Sequence, residues 1–453
     1  MPVSAARAAA FDILLRVERE SSYASELLHS PTYARLSASD HALATELVMG
    51  VLRWRPRLDD EIGHASSQPL AKLDLEILIA LRLAVYQLRW LDRIPKRAAI
   101  YESVELVKRA RKRSAAPFVN AVLRKLSEGA RSVQAFAYED SSSAETLAGS
   151  FAHPPWMVER WARLYGLAVA RQICEHDQSV AATAIRLRTA ATEVSLEEDG
   201  ITLAPGGLLA SARRVRAGAI TDTKAFRAGE VVIQDEAAQL VAALVGGGPS
   251  KERSRILDCC AAPGGKTLAM ADRNPGATIT AVELHPHRAR LLGKLLQASN
   301  GSHQIQLVVG DARNLPISGG FDRVLADVPC SGTGTLARNP EIKWRLRPDD
   351  LAQLHERQSA ILRAALAQVA PGGRVIYSTC SLEREENEDV VEGALAENKS
   401  FRVLDCRAEL DALKAAGELT WPDVAALTRG PYLRTIPGMH PCEGFFAAVL
   451  EKR

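Results

Sequence analysis

The sequence predicts a multidomain protein with an N-terminal all-α bundle, a small α+β subdomain and a C-terminal α/β domain of the Rossmann-like type. Its 453 residues exceed what one hydrophobic core usually organises. Through residues 1–130, apolar residues recur at helical spacing and no stretch alternates like a strand. After residue 250, short β-rich runs alternate with helical stretches. That alternation is typical of a mainly parallel sheet with helices on both faces.

Shifts in composition mark the expected domain boundaries. We expect the helical domain over residues 1–130, a polar linker over 131–148, a small α+β, RRM-like subdomain over 149–240 and the α/β domain over 241–453. The run His153-Pro154-Pro155-Trp156 predicts a helix start, because proline is favoured in the first turn of a helix. The subdomain would therefore begin with a helix and continue into short strands.

The strands are predicted from short runs rich in β-branched and apolar residues. Two such runs, 184–187 and 231–234, fall in the small subdomain. The six runs of the α/β domain are 256–258, 278–283, 305–309, 321–327, 374–378 and 445–450. The longest helical stretch between them extends from Asp349 to Val369. Ligands of such sheets bind at the carboxyl ends of the strands, so the residues that end these runs are the candidate functional residues.

The composition favours a folded cytoplasmic protein. Apolar residues make up 47% of the chain and charged residues 25%, the balance of a soluble globular protein. The sequence shows neither the pattern of a signal peptide nor an apolar run able to span a bilayer. Seven cysteines without an export signal argue for reduced thiols, and none forms a CxxC pair. We therefore expect no structural metal, no membrane partner and a monomer, since nothing in the sequence demands an oligomer.

The distribution of charge is more informative than the net charge of +3. Residues 108–113 contain five cations in six positions, and Arg53, Arg55 and Arg57 lie upstream. Such a cluster suits a polyanion such as nucleic acid. Cations at a solvated helix end, placed against the helix dipole, would produce the same pattern. The run by itself favours neither the nucleic-acid interpretation nor the solvated helix end.

A glycine turn follows the first strand of the α/β domain, in the segment from Asp258 to Thr267. Small residues let the backbone approach a ligand, and the amides of the following helix suit a carboxylate or phosphate. The spacing is neither GxGxxG nor that of a P-loop. Glu283 ends the second strand, where a carboxylate can accept from a ribose diol. Asp311 follows the third, within reach of an adenine amino group, so the two acids together favour a nucleoside-containing ligand.

Cysteines follow the fourth and fifth strands, in Asp327-Val-Pro-Cys330 and Ser378-Thr-Cys380-Ser. A single cysteine is usually a small buried hydrophobe, and we expect that of Cys174 and Cys406. Cys330 and Cys380 each end a strand beside polar residues, where a thiol can be partly exposed and a nearby cation can lower its pKa. The two cysteines together make a thiol nucleophile plausible.

These motifs resemble those of the NOL/NOP/Sun family of RNA cytosine-C5 methyltransferases. The resemblance extends over residues 150–450, and the residues that carry it are Asp258–Thr267, Asp311, Asp327–Cys330 and Ser378–Ser381. Three N-terminal segments resemble a NusB-like RNA-binding domain, and they are Leu47–Arg53, Tyr86–Leu88 and Phe118–Arg124. The combination is similar to the bacterial small-subunit ribosomal RNA methyltransferases of the RsmB (Sun/Fmu) type. It implies a class I methyltransferase domain, S-adenosyl-L-methionine as cofactor and small-subunit ribosomal RNA as partner.

The resemblance also implies a role for each motif residue. The family's nucleophile is the cysteine of Thr-Cys-Ser, here Cys380, and the cysteine of Pro-Cys, here Cys330, assists release of the covalent adduct. Asp327 would lie between the cofactor and the target base. Addition of a thiolate to carbon 6 of cytosine activates carbon 5, and a base then removes the proton from carbon 5. The implied cofactor contacts are Cys260, Ala261, Ala262, Pro263, Gly264, Gly265, Lys266, Glu283, Asp311 and Asp327.

Two further features bear on RNA contacts. Arg188, in Arg186-Leu-Arg188, stands where family members often carry asparagine. This departure puts a fine contact at that position in doubt, while the chemistry is unaffected. Lys266 and the segment Arg338–Arg345 are candidates for contacts with RNA phosphates.

Other functions fit the motifs less well. A zinc deaminase also attacks cytosine, but it needs a second cysteine that Pro329-Cys330-Ser-Gly-Thr333 lacks. An NAD-linked dehydrogenase would need GxGxxG. An RNA-binding scaffold with an inactive methyltransferase domain would keep the basic run and the helical domain. Both cysteines, Asp327 and the cofactor loop are present, which favours the enzyme.

Overall fold

The structure is a computed structural model that describes residues 3–20, 22–33, 35–128, 142–246, 254–299 and 304–453. They form two compact units. The first comprises Met1–Val180 with Leu336–Arg345, and the second comprises Ala181–Thr335 with Leu346–Arg453. The division expected at residue 149 therefore lies at Val180, since residues 149–180 are mainly helical and group with the helices before them. The small subdomain and the α/β domain share one unit, so no unit begins at residue 241.

Six helices form the N-terminal part of the first unit: α1 (Ala5–Glu20), α2 (Ala24–Leu28), α3 (Ala38–Ala65), α4 (Leu75–Trp90), α5 (Lys96–Arg109) and α6 (Ala116–Glu128). Their apolar faces share one core that includes Phe11, Leu47 and Leu123. The Ser37 hydroxyl caps α3 by accepting from the amide of Asp40 at 3.1 Å. The prediction of an all-helical N-terminal region is confirmed for the described residues.

Three more helices complete the first stretch of this unit: α7 (Ala144–Ser150), α8 (Pro155–Tyr165) and α9 (Leu167–Asp177). The helix start predicted at His-Pro-Pro-Trp is confirmed, because α8 begins at Pro155. Of the expected linker, residues 131–141 lie outside the described residues, and α7 occupies much of the rest. In the part of the chain that the structure describes, no helix is long and apolar enough to cross a membrane.

A small antiparallel sheet opens the second unit. Its strands are β1 (Thr183–Leu187), β2 (Thr202–Pro205), β3 (Ala212–Ala217) and β4 (Val231–Ile233), in the order β2-β3-β1-β4. Helices α10 (Ala190–Glu198) and α11 (Lys224–Arg227) lie between the strands in the chain. Ile185, Leu196 and Val231 contribute to the subdomain's own core. The two strands predicted here are confirmed to within a residue.

A large mixed sheet is the centre of the second unit. Its strands are β5 (Arg255–Asp258), β6 (Thr278–Glu283), β7 (Gln304–Val309), β8 (Phe321–Asp327), β9 (Val369–Thr379), β10 (Phe401–Leu404), β11 (Thr428–Arg429), β12 (Tyr432–Arg434) and β13 (Phe446–Lys452). Their order is β11-β12-β13-β9-β8-β5-β6-β7, with β10 beside β13. Strands β5 to β9 pair in parallel and the rest are antiparallel. Five of the six predicted runs lie wholly on strands, and the sixth, 445–450, does so except for Phe445; β9 begins earlier than predicted, at Val369.

Helices cover both faces of this sheet. The remaining helices of the chain are α12 (Glu236–Leu244), α13 (Gly265–Arg273), α14 (Pro286–Ala298), α15 (Ile342–Arg345, in the first unit), α16 (Asp350–Gln368), α17 (Glu388–Glu397) and α18 (Cys406–Ala415). Consecutive residues of β5 enter different cores, Ile256 with Met270 on one face and Leu257 with Leu362 on the other. Burial on both faces agrees with the apolar residues of the central strands β5 and β6, whereas the edge strand β7 is mostly exposed.

Candidate active site

A crevice forms where the order of the parallel strands reverses. From β5 the chain continues to β6 and β7 on one side, and from β8 to β9 on the other. The loops after β5 and β8 therefore leave in opposite directions and open a crevice at the carboxyl ends of these strands. Asp258 ends β5 and Asp327 ends β8. The strand-end residues that the sequence singles out thus meet at one edge of the sheet.

The loop after β5 is held in shape by a buried carboxylate and a glycine. Asp258 accepts from the Thr267 hydroxyl at 2.7 Å and from the Cys260 amide at 3.4 Å, which ties the two ends of the loop together. Burial raises the pKa of Asp258 to about 7. Gly264 has φ +114°, and a Cβ there would lie 2.5 Å from Leu292 Cδ1. Helix α13 follows directly, and the first amides of a helix have no partners within it.

A cavity of about 610 Å³ opens beside this loop. The predicted contacts Cys260–Lys266 and Asp327 line it, together with Gln234 and Asp235 at the end of β4. The Gln234 Oε1 is buried and has no hydrogen-bond partner among the described residues. An unpaired acceptor and free helix amides together suit a ligand that carries both a hydrogen-bond donor and a carboxylate. The residues present therefore fit the methionine part of S-adenosylmethionine.

Glu283 and Asp311 lie at adjacent strand ends, outside the lining of that cavity. The Glu283 carboxylate is nearly buried and accepts from the His285 amide at 2.8 Å. The Arg313 guanidinium donates to Asp311 at 2.6 Å and holds the pKa of that carboxyl below its ordinary value. The structure places both acids where the sequence predicts them, and their contacts with a nucleoside stay predictions.

Cys330 and Cys380 come together beyond the ends of β8 and β9. Their Sγ atoms are 3.3 Å apart, and both residues are half-buried. The hydrogen bond with Cys380, followed by burial, raises the pKa of Cys330. Cys174 and Cys406 are buried, as expected of small hydrophobes. No group of three or more histidine, cysteine or acidic side chains among the described residues is arranged to hold a metal ion.

Asp327 joins the cofactor loop to the cysteine strands. Its Oδ2 accepts from Lys266 Nζ at 2.8 Å, and its Oδ1 accepts from the Ser378 hydroxyl at 2.7 Å. Burial works against the charged form of Lys266, but the Asp327 carboxylate outweighs it and raises the pKa of the ammonium. The charge of Cys380 acts in the same direction. A cation is therefore held against the carboxylate that ends β8.

Three polar residues of the site were not predicted. Gln234 and Asp235 directly follow β4, so the rule that strand ends carry the site would have indicated them had it been applied to the small subdomain. Glu386 lies beneath both cysteines, fully buried, in a segment that looks like an ordinary charged turn in the sequence. Nothing in the sequence indicates that the Glu386 side chain is buried.

Arg188, the departure from the family pattern, has a structural role. Its guanidinium makes a bidentate contact with Asp272, the closest atoms being 2.6 Å apart, and donates to the Ser299 carbonyl at 2.6 Å. Arg186 donates to the same Asp272 carboxylate at 2.7 Å. The two arginines thus join β1 to helix α13, which begins at the cofactor loop.

In the segment Arg338–Arg345, Lys343 and Arg345 donate to backbone carbonyls of the first unit. Lys343 is 1% exposed and donates to the carbonyls of Arg53 and Ala152 at 3.1 Å each. Arg345 donates to the carbonyl of Val17 at 2.8 Å. The expected phosphate contact is therefore wrong for Lys343, because its ammonium is enclosed within the first unit.

The basic run of residues 108–113 is partly neutralised. Lys108 pairs with Glu105, Arg109 with Asp12 and Lys112 with Asp74, at 2.6, 2.7 and 2.9 Å. Arg111 and Arg113 are exposed. Paired cations attract a polyanion less strongly, so this surface is weaker than the sequence alone indicates.

Comparison with known proteins identifies the family. Residues 249–451 match the family described as 16S rRNA methyltransferase RsmB/F, and residues 4–128 match the NusB family. A probable ribosomal RNA small subunit methyltransferase B of Bacillus subtilis (strain 168) is 34% identical over 100% of both chains. The chain belongs to the RsmB/F methyltransferase family. The predicted combination of a NusB-like helical domain with a methyltransferase domain is thereby confirmed.

Further similarities agree with the RsmB/F assignment. The ribosomal RNA small subunit methyltransferase B of Vibrio cholerae serotype O1 is 31% identical over 91% of this chain and 90% of that protein. The crystal structure of PH0851 aligns over 99% of this chain and 98% of that chain, with a TM-score of 0.80 and 23% identity. NSun6 from Pyrococcus horikoshii with SFG aligns over 65% and 97%, with a TM-score of 0.54 and 19% identity. At these identities the two structures establish the fold, as predicted.

Proposed function

We propose that this RsmB/F protein transfers a methyl group from S-adenosylmethionine to carbon 5 of a cytidine in small-subunit ribosomal RNA, through a covalent adduct of Cys380. The observation that carries the proposal is the pair of thiols, 3.3 Å apart, beyond the ends of two neighbouring strands. The relatives from Bacillus subtilis and Vibrio cholerae are named ribosomal RNA small subunit methyltransferases B, which supports the substrate class.

A thiol nucleophile solves the chemical difficulty of this reaction. Carbon 5 of cytosine is a poor nucleophile. When the Cys380 thiolate adds to carbon 6, an Sγ–C6 bond forms and the electron pair of the C5–C6 double bond becomes available at carbon 5. S-adenosylmethionine supplies, when bound, a methyl group on a sulfonium sulfur. Once carbon 5 carries the methyl group, a general base accepts the proton of carbon 5. The C5–C6 double bond then re-forms, the Sγ–C6 bond breaks and the Cys380 thiolate is released.

The surroundings of the two thiols favour Cys380 as the nucleophile. Because its hydrogen bond with Cys380 and its burial raise the pKa of Cys330, this residue stays a thiol and can donate its S–H toward Cys380. Lys266 contributes a positive charge whose own pKa is raised in part by Cys380. Because Cys330 keeps its proton, it is the poorer nucleophile of the pair, which leaves the nucleophilic role to Cys380. Cys330 is adjacent to the adduct and is suited to assist its release.

Asp327 would help to stabilise the target cytosine while the thiolate adds to it. Its two oxygens are held by Lys266 and Ser378, which fixes the carboxyl group at the mouth of the crevice. Negative charge develops on the cytosine ring, at N3, when the thiolate adds to carbon 6. The Lys266 ammonium can neutralise that negative charge, and the Asp327 carboxylate, which accepts on both oxygens, holds the ammonium in place without reorganising. We assign this role to Asp327 with Lys266.

The cofactor contacts follow from the cavity and the strand ends. Segment Cys260–Lys266 and Gln234 line the cavity and would hold the amino acid part of S-adenosylmethionine. Glu283 and Asp311, at the next two strand ends, would hold the ribose and the adenine. Calorimetric titration with S-adenosylhomocysteine tests these contacts, and Glu283→Ala should weaken binding by about tenfold or more through the lost hydrogen bonds.

The decisive experiment is nucleoside mass spectrometry of small-subunit ribosomal RNA incubated with S-adenosylmethionine and the purified protein. We expect 5-methylcytidine at a discrete position. Unmodified RNA, or a methyl group on another atom or base, would overturn the proposal. A scaffold with an inactive methyltransferase domain would bind the RNA and leave every cytidine unchanged.

The cysteine roles are tested with three variants in the same assay. Cys380→Ala should abolish methylation, and retention of more than a few per cent of the rate would refute the nucleophile assignment. Cys330→Ala should accumulate a protein–RNA adduct that survives denaturing electrophoresis, and its absence would contradict the release role. Cys406→Ala, which removes a buried thiol outside the site, should form product and no stable adduct.

A further inference from the structure

The two strand-end cysteines are each followed by a serine, and both serines contact the same buried carboxylate. Ser331 donates to Glu386 through its amide at 2.8 Å and also through its hydroxyl. The Ser381 hydroxyl donates to Glu386 Oε2 as well, and the two serine oxygens are 3.1 Å apart. Gln358 adds a fourth donor at 2.8 Å. One fully buried side chain therefore joins the two cysteine loops.

The sheet alone does not hold these loops together. The pairing of β8 with β9 ends at Asp327 and Ser378, so both cysteines lie beyond the last paired residues. Past that point, the Gly334 amide donates to the Cys380 carbonyl at 2.9 Å, and the serine contacts converge on Glu386. A segment that leaves a strand regains conformational freedom unless side chains restrain it.

We propose that Glu386 is a positioning residue that locks the loops of Cys330 and Cys380 together and so keeps their sulfur atoms within reach of one base. The catalytic part of this inference rests on the proposed function, whereas the thiol geometry does not.

The chemistry of the contacts requires a carboxylate. Ser331 and Ser381 both donate, and so does Gln358, so the group between them must accept on both oxygens, as an ionised carboxylate does. Hydrogen bonds to a charged acceptor are about twice as strong as neutral ones. The Tyr377 hydroxyl also donates to the Glu386 carbonyl at 2.6 Å, which fixes the backbone at this position.

The charge of Glu386 provides a second consequence. The pKa of Cys330 is raised by its hydrogen bond with Cys380, by burial, and by the charges of Cys380 and Glu386. Removing the Glu386 charge should therefore lower the pKa of Cys330. A residue that only filled space would leave that pKa unchanged.

Glu386→Gln tests the inference, because it keeps the shape and replaces one acceptor by a donor. The matched control is Asp389→Asn, which removes the same charge from an exposed ion pair with Arg384. The probe is phenylarsine oxide, which forms two As–S bonds with adjacent thiols while its oxygen leaves as water. We expect wild type and Asp389→Asn to bind it equally, and Glu386→Gln to bind at least about tenfold more weakly. Cys330→Ala defines the signal from this thiol pair.

Two further measurements separate positioning from general structure. The pH profile of Cys330 alkylation should move to lower pH in Glu386→Gln, and it should stay in place in Asp389→Asn. In the methylation assay, kcat should fall by about tenfold or more while KM for RNA and cofactor stays within about twofold. Arsenical binding and an alkylation profile like those of wild type would overturn the inference.

The outcomes distinguish this inference from the proposed function. If the wild-type protein methylates no cytidine, arsenical binding and alkylation still decide the role of Glu386. If the protein methylates and Glu386→Gln matches Asp389→Asn in every assay, the inference fails alone. Should Glu386→Gln not fold, Ser331→Ala removes one of the contacts and should weaken arsenical binding several-fold; unchanged binding would count against the inference.

Discussion

Lys266 lies in the second unit and Lys343 in the first, and both are largely withdrawn from solvent. Lys266 donates to the Asp327 carboxylate, and its pKa lies above the ordinary value. Lys343 donates to the carbonyls of Arg53 and Ala152, and burial lowers its pKa to about 7. Burial penalises both ammonium groups, but a carboxylate offsets the penalty and two carbonyls do not. The same residue type therefore supplies a permanent charge at the site and, elsewhere, a buried group that gains or loses its proton near pH 7.

The largest expected effect is on Lys266. Lys266→Met should lower kcat for methylation by about a hundredfold or more, since loss of a charged group at a reacting centre typically costs that much. Single-turnover assays on purified RNA measure it. Activity within about tenfold of wild type would show that the charge of Lys266 does not serve the reaction.

A smaller loss is expected when the charge is kept. Lys266→Arg preserves the ion pair with Asp327 but not the geometry of a point charge, so kcat should fall by about tenfold. The same single-turnover assay applies, with circular dichroism as the control for folding. If Lys266→Arg were as inactive as Lys266→Met, geometry rather than charge would be the decisive property.

The stability of the first unit should depend on pH through Lys343. Between pH 7 and its ordinary pKa of 10.5, the unfolded chain binds a proton that the folded protein does not. The free energy of unfolding should therefore rise with pH in this window, by at most about 1.4 kcal/mol per pH unit. Lys266 has a raised pKa, so the stability it contributes is present throughout this window and is lost only above it.

Denaturant titrations of the wild type and Lys343→Met at pH 7.5 and 9.5 measure this dependence. Five of the six tryptophans belong to the first unit, so tryptophan fluorescence reports mainly on its unfolding. In Lys343→Met, the free energy of unfolding should no longer show the rise between pH 7.5 and 9.5 that Lys343 causes in the wild type. An equal slope in both proteins would show that Lys343 stays charged when buried.

The smallest effect is expected on catalysis by Lys343→Met. Lys343 belongs to the first unit and contacts backbone carbonyls, so kcat of the folded variant should stay within about twofold of wild type. Parallel assays of methylation and of folded fraction check this. A tenfold loss at full folding would give Lys343 a part in the reaction and end the contrast between the two lysines.

Much of the fold is readable in the sequence because the central strands of the parallel sheet are buried and rich in β-branched and apolar residues. The run 278–283, for example, coincides with β6. The strands β10, β11 and β12 were not predicted, since two to four residues are too few to show a period. The change of unit at Val180 differs from the boundary expected at residue 149, because helices α8 and α9 carry no signal of the unit they belong to.

The candidate site was predictable to the extent that it lies at strand ends. Asp327 and Cys330 follow one strand and Cys380 another, so their shared edge of the sheet is implied by the sequence. Which strand lies next to which is not, and the distance of 3.3 Å between the thiols depends on β8 pairing with β9. The enclosure of Lys343 and of Glu386 was likewise invisible, because charged residues in short helices and turns are usually solvated.

The sequence by itself determined the chemical inventory: two thiols, an aspartate, a glycine turn and two acids, each at the end of a β-rich run. It determined this because strand and turn propensities are local, and the site of an α/β domain is built where strands end. The tertiary structure alone decided which groups touch. Lys266 meets Asp327 and Lys343 meets carbonyls because distant segments fold together, and only that contact sets whether a buried ammonium keeps its proton.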